Sequence, residues 1–420
     1  MIQGFINGET SSIPLKIRKN SEIVHYYNEI VRFWNKLNFI IKTSLKDSES
    51  LEINQYPKYL YATFKILWEH TSEKNILNEL KDIDRKFLKR IRTFSWDKAL
   101  IHKKQEEKLS ILTATPSFMI DRLHMVMNLE FLKTNIEFMN GLNNIEITVR
   151  INNLPDKSKL QNLLPHIREA LKQDKIDSNE DINIPELLWI SISQKNKVIK
   201  NHLYQKGILI FQDKASAAVI QVLSPKQEEK VCDMCAAPGI KTSLIAQHMN
   251  NKGYIIAGEF LPKRAGMMRI LLNKLKVSNV HILNTDSIVF PIRFQEYFDC
   301  ILLDAPCTGS GAFLTTPELK WRQNRGFLRQ NTVLQKKLFE NALKLLKPNG
   351  VLVYSTCSLY PEEGEYQILE FIEHLEPMDL PKWFSPSYKI NDKFIQGTGR
   401  LFPSIHHTQG FFIGKFKKKV

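Results

Sequence analysis

The second half of this 420-residue chain predicts an alternating α/β domain built on a largely parallel sheet. Three observations carry that prediction. Strand-like and helix-like segments alternate from about residue 228 onward, the strands are nearly continuous apolar runs, and the chemistry-bearing polar residues gather where those runs end. A strand covered on both faces by crossover helices must be apolar on both faces, and strand–helix–strand alternation makes the crossovers right-handed and the sheet doubly wound.

From Ile23 to about Leu112, apolar residues recur every three or four positions, as in "LYATFKILWEH" and "NELKDIDRKFLKRI", which predicts an N-terminal helical domain over 1–113. The run "KDIDRKFLKRIR" reads first as a solvated helix face and second as an RNA-facing surface. "ATPSFMIDRLHMVM" predicts a helix after Pro116, and "IEITVRINNLP" alternates like a half-buried strand. "KSKLQNLLPHIREALKQ" reads as a helix interrupted at Pro165, and "LLWISIS" and "GILIFQD" read as short strands. These make a small α+β module over 114–205.

The domain over 206–420 follows. "KVCDMCA", "GYIIAGEF", "NVHILNTD", "YFDCILLDAP" and "GVLVYSTCS" are its strands. "IKTSLIAQHM", "LPKRAGMMRILLNKL" and "QNTVLQKKLFENALKLLKPNG" are its helices, with Pro262 in a first turn.

Composition narrows the class. With 43% hydrophobic and 25% charged residues the chain is globular rather than disordered, and no apolar run reaches the roughly 20 residues that span a bilayer. The start "MIQGFINGETSS" lacks a signal peptide's basic and apolar regions, so no membrane and a cytoplasmic location are expected. A formal charge of +15 favours a polyanionic partner, since Lys and Arg that neutralise phosphates release counterions. The five cysteines (Cys232, Cys235, Cys300, Cys307, Cys357) are odd in number, which speaks against a disulfide framework. The pair Cys232 and Cys235 has no second ligand pair at zinc spacing, so no metal is expected.

Ligands of open α/β sheets bind beyond the carboxyl ends of the strands. After the first strand, "DMCAAPGIKT" offers small residues and a helix amino end, without the glycine pattern of a dinucleotide site or a P-loop. The second strand ends in Glu259, suited to ribose hydroxyls, and the third in Asp286, suited to an adenine amine. Either acid alone reads as a helix cap or solvated turn. Together in order they point to a nucleoside-containing cofactor. The fourth and fifth strands each deliver a cysteine, Cys307 after Asp304-Ala305-Pro306 and Cys357 after Ser355-Thr356, and both thiols reach one cleft if those strands are neighbours.

"FQDKASAAV", "DMCAAPGIKT", "LLDAPCTGSG", "YSTCSLYPEEGE" and "RLFPSIHHTQGFFIGKF" resemble, in order, motifs of the Sun (Nop/Sun) family of S-adenosylmethionine-dependent RNA cytosine-5 methyltransferases. The resemblance implies a class I, Rossmann-like methyltransferase domain with a mostly parallel sheet. It also makes the 114–205 module an RNA-binding one; the helical domain is similar in size and position to a NusB-like module. By the same resemblance, Cys357 is the nucleophile on carbon 6 of cytosine and Cys307 assists product release. Asp304 bonds the cytosine edge, and Lys241 holds Asp304. S-adenosylmethionine rests on Cys235, Ala236, Ala237, Pro238, Gly239, Ile240 and Lys241, with Glu259, Arg264, Asp286 and Asp304 completing the cofactor set. Three positions depart from the family pattern: Ile240 stands where a second glycine is frequent, Gly364 where asparagine is usual, and Glu259 where aspartate is common. The expected partner is RNA, ribosomal before transfer RNA, and the expected state a monomer. The alternatives are a DNA cytosine methyltransferase with Cys307 as nucleophile, which leaves Cys357 without a role, and an inactive RNA-binding assembly factor.

Overall fold

The structure is a computed structural model that describes residues 20–45, 51–52, 54–141, 146–156 and 159–420. The amino-terminal segment read for a signal peptide, and the first residue of "IEITVRINNLP", lie outside these. Contacts divide the chain into two compact units, one of residues up to 140 with 313–324, the other of 141–312 with 325–420.

The first unit is helical from Ser21–Arg32 through Leu129–Met139, and its helix starts follow local chemistry. Asn20, Ser72, Asp84 and Asn128 each cap a helix by accepting from first-turn amides, so the entry of these four helices is written in one polar residue each. The basic helix Arg85–Arg92 buries Phe87, Leu88 and Ile91 in the core and keeps Arg85, Lys89 and Arg92 exposed, as a solvated face does. Segment 313–324 is part of this unit. Its Lys320 is fully buried and donates to the carbonyls of Arg32 and Ala114, at 3.1 and 3.0 Å, and to Asn140.

The second unit holds two sheets. The smaller is antiparallel, in the order β2 (Asn179–Glu180), β3 (Leu187–Ser191), β1 (Glu146–Ile151), β4 (Leu209–Phe211). The helix Leu160–Gln173 packs on it. The break expected at Pro165 is absent: the proline removes one backbone donor, but Leu163, Ile167 and Leu171 keep one face buried against Val149, Leu188 and Ile190 on either side of it.

The larger sheet begins with β5 (Lys230–Asp233), β6 (Tyr254–Glu259), β7 (Val280–Asn284), β8 (Phe298–Asp304) and β9 (Leu346–Thr356), paired in parallel in the order β7-β6-β5-β8-β9. Successive residues feed opposite cores: Val231, Leu302 and Val353 pack on one face, and Cys232, Ile301, Leu303, Leu352 and Tyr354 on the other. Each fully buried aliphatic side chain contributes about 1.5–3 kcal/mol, so burial on both faces fixes which strand ends lie together. Four further strands, β10 (Leu375–Pro377), β11 (Ser385–Pro386), β12 (Thr398–Leu401) and β13 (Phe411–Lys418), extend the sheet antiparallel, with β13 against β9. Reading periodicity alone gave only the five parallel strands. No helix of the described residues is long and apolar enough to cross a membrane.

Candidate active site

Strand order brings the chemistry together. β5, β8, β9 and β13 are consecutive in the sheet, so the segments leaving β5, β8 and β9 and the start of β13 share one edge. Asp304 pairs with Ser355 in the β8–β9 register, so the two cysteine-bearing loops start side by side. The Cys307 and Cys357 sulphurs lie 3.3 Å apart. A cavity of about 280 Å³ is lined by Gln212, Asp233, Cys235, Lys241, Asp304, Cys357 and Phe411 among others.

Lys241, in the first turn of the helix Ile240–His248, sets its ammonium 2.8 Å from Asp304 and over the Phe411 ring, 5.4 Å from its centre. The Ser355 hydroxyl donates to the other Asp304 oxygen at 2.7 Å. Asp304 is thus held at both oxygens while keeping lone pairs to offer. Burial works against the Lys241 charge, but Asp304, and more weakly Cys357 and Asp233, raise the lysine's proton affinity overall. The Cys307 thiol is pushed well up by its hydrogen bond to Cys357 and by burial, so it holds its proton at neutral pH.

The turn before the helix carries the room a ligand needs. Gly239 has φ +102°, and a Cβ there would come within 2.8 Å of Met268 Cγ, so this position requires glycine. Ile240 opens the helix and lines the cavity, so its side chain is accommodated where a second glycine is frequent. Ala236 and Ala237 are buried beside it. Cys307 adjoins the cavity through Cys357, whereas Glu259, Arg264 and Asp286 lie outside its lining. Glu259, 4% exposed at the end of β6, accepts from the Leu261 amide at 2.8 Å and pairs with Arg264 at 3.3 Å. Arg264 also donates to the Ala237 carbonyl at 2.7 Å, which ties this acid to the turn. Asp286, beyond β7, accepts from the Ile288 amide as a helix cap does.

Sequence reasoning missed Asp233, although it stands first in "DMCAAPGIKT". It is 1% exposed, accepts from the Thr242 hydroxyl at 2.7 Å, and leaves Oδ1 buried without a hydrogen-bond partner among the described residues. Burial first, and Asp304 as well, push its carboxyl up to about 7 against the pull of Thr242 and Lys241. An unmatched carboxylate oxygen at a cavity wall is what a ligand bearing a cationic or N–H group would satisfy. S-adenosylmethionine carries an ammonium and a sulfonium, and its nucleoside would suit the acids at the ends of β6 and β7. The residues present fit that cofactor.

Arg400 and Glu365, both fully buried, pair at 2.6 Å, and Arg400 also donates to the carbonyls of Ser358 and Tyr360. The loop after Cys357 is therefore pinned from beneath.

Residues 220–417 match the family model described as 16S rRNA methyltransferase RsmB/F. The chain is 35% identical over 218 residues to the probable ribosomal RNA small subunit methyltransferase B of Synechocystis sp., covering 51% of this chain and 49% of that protein. It spans about half the length of the curated relatives it matches. Among solved structures, that of PH0851 superposes with TM-score 0.76 at 26% identity, over 95% of this chain and 90% of that one. NSun6 from Pyrococcus horikoshii with SFG gives TM-score 0.62 at 23% identity, over 73% and 99%. The fold of the second unit is that of class I, S-adenosylmethionine-dependent methyltransferases. Over residues 220–417 this chain is similar to the 16S rRNA methyltransferase RsmB/F family.

Proposed function

We propose that the protein is an RNA (cytosine-5) methyltransferase that acts on ribosomal RNA of the small subunit, in the cytoplasm and as a monomer. The observation that carries this reading is the pair of thiols 3.3 Å apart at the ends of adjoining strands, beside a carboxylate gripped by a half-buried lysine. The names of the relatives and the excess positive charge support RNA as the substrate.

S-adenosylmethionine, held by the Cys235–Lys241 segment with Asp233, Glu259, Arg264 and Asp286, supplies the methyl group when bound. The rest is work for this chain's side chains. Carbon 5 of cytosine is a weak nucleophile until a thiolate adds to carbon 6, which splits one hard step into two. Cys357, next to Lys241 and facing the cavity, is the attacking sulphur. Cys307, its sulphur 3.3 Å from that of Cys357, lies within hydrogen-bond reach of the attacking group. Cys307 takes the carbon 5 proton as a thiolate, its own proton having first passed to solvent; the carbon 5 electron pair then restores the 5,6 double bond and expels Cys357 as a thiolate. Asp304 accepts from the base edge and stabilises the protonated adduct, its aim set beforehand by Lys241 and Ser355. A paired cytosine cannot enter such a pocket, so the target is an unstacked base.

The test is methyl transfer from labelled donor to small-subunit ribosomal RNA, with transfer RNA alongside. Cys357→Ala abolishes transfer, while Cys307→Ala accumulates a covalent protein–RNA adduct that survives denaturing electrophoresis. An active Cys357→Ala together with an adduct-free Cys307→Ala refutes the assignment, and bisulfite sequencing of RNA from cells with and without the gene locates the base.

A further inference from the structure

We propose that Glu363 is a positioning residue that holds Cys307 and Cys357 in register, which rests on the two-cysteine reading above. It comes from "YPEEGE", in the short turn after the Cys357 loop, and its side chain is fully buried. A carboxylate taken so far from water costs free energy unless donors surround it. The donors here are distributed around the cysteines.

Glu363 Oε1 accepts from the Thr308 amide at 2.9 Å, and Oε2 accepts from the Thr308 hydroxyl at 2.5 Å. Thr308 directly follows Cys307. Gln335 donates to Glu363 Oε1 at 3.1 Å and to the Pro306 carbonyl at 2.8 Å, and Pro306 directly precedes Cys307. On the other loop, the Ser358 hydroxyl, just after Cys357, lies close enough to lower the proton affinity of the same carboxylate. The Thr356 hydroxyl, just before Cys357, donates to the Glu363 carbonyl at 3.1 Å, and the Tyr354 hydroxyl donates to it at 2.9 Å. Thr308 is therefore bonded to the Glu363 carboxylate, Pro306 is tied to it through Gln335, and Thr356 is bonded to the Glu363 main-chain carbonyl. Two loops from different strands acquire one common anchor, and the 3.3 Å between the sulphurs is the distance that anchor fixes. A residue needed only for packing would not require acceptors aimed at both cysteine loops.

Attack uses Cys357 alone, whereas release needs Cys307 correctly aimed at the adduct, so loosening the anchor slows release most. In the full chain, Glu363→Gln keeps the size of the side chain but turns one acceptor into a donor facing Thr308 and Gln335. The expected result is a kcat lower by about 100-fold, as for a sub-ångström to 1 Å misplacement, with KM for RNA and S-adenosylmethionine within about twofold. A covalent adduct accumulates that the wild type does not show. Thr308→Val, which deletes one donor, gives the same pattern more weakly and decides the matter if Glu363→Gln does not fold. Unchanged kcat, or loss of activity matched by lost cofactor binding with no adduct, overturns the proposal. Cys307→Ala runs beside them: if it forms no adduct, the two-cysteine reading has failed. If it does while neither Glu363→Gln nor Thr308→Val does, the positioning role alone has failed.

Discussion

Asp233 makes the stability of this protein depend on pH in a direction opposite to that of an ion-paired carboxylate. Its carboxyl is raised by burial from the ordinary 3.8 to about 7, so in the folded chain it stays protonated where the unfolded chain has released its proton. Below about pH 4 both states hold the proton and there is no cost. As pH rises from 4 to 7 the unfolded state gains by ionising freely, and stability falls; above 7 both states are ionised and the loss levels off. With 1.36 kcal/mol per pH unit, the cost is about 1.6 kcal/mol at pH 5 and about 4 kcal/mol at pH 8. Asp233→Asn keeps an oxygen for the Thr242 hydroxyl and cannot ionise. Its amide nitrogen lacks an acceptor where Oδ1 lies buried, and this penalty of about 1–3 kcal/mol is the same at every pH. The informative quantity is the change in the Tm difference between variant and wild type from pH 5 to pH 8. That change isolates about 2.5 kcal/mol, or about 5–10 °C in favour of the variant at pH 8. Other titrating groups are common to both proteins and cancel. Thermal unfolding by circular dichroism without cofactor is the assay, and a Tm difference that stays constant across this range refutes the reasoning.

Two further substitutions test the site and the frame beneath it. Lys241→Met removes the charge-assisted hydrogen bond to Asp304 while filling the same space, so kcat in single-turnover methyl transfer falls about 10- to 150-fold, equivalent to about 1.5–3 kcal/mol; a kcat within about twofold of wild type would show that Asp304 needs no fixed partner. Gly364→Asn, which restores the residue usual in the family, places a Cβ within 2.7 Å of Phe412 Cγ and 3.0 Å of Arg400 Nη2. Both neighbours are fully buried, so overpacking costs about 1–3 kcal/mol and lowers Tm by about 2–10 °C, and an unchanged Tm would mean that Phe412 yields freely.

The parallel half of the sheet was legible because its strands are short apolar runs ended by polar residues, and the same signal puts Cys307 and Cys357 at one edge, whereas the pairing of Lys241 with Asp304 was legible only through the family resemblance. β13 was not legible that way. "GFFIGKF" has strand composition, but its antiparallel pairing to β9 is a property of topology, not of the segment. Pro165 misled because a proline inside a helix costs a local hydrogen bond, and that loss is smaller than the gain from a continuous buried face. Asp233 and Glu363 were passed over for a shared reason. Nothing in the string separates a buried acid from a solvated one, and their importance lies in which donors surround them. Glu259 was legible as a strand-end acid, yet its tie to the turn through Arg264 and the Ala237 carbonyl was not.

The departures from the family pattern follow from where side chains have room. Ile240 is admitted because the strained conformation falls one residue earlier, at Gly239, and a helix-starting position asks for no glycine. Gly364 is different: between Glu363 and Glu365 the chain is fixed on both sides, by the Thr308 and Gln335 bonds and by the Arg400 pair, and Phe412 occupies the space a side chain would take. The same three residues therefore carry two costs, a carboxylate buried for the cysteines and a position closed to substitution. A frame so tightly bonded holds the thiols at one separation but cannot adapt by sliding.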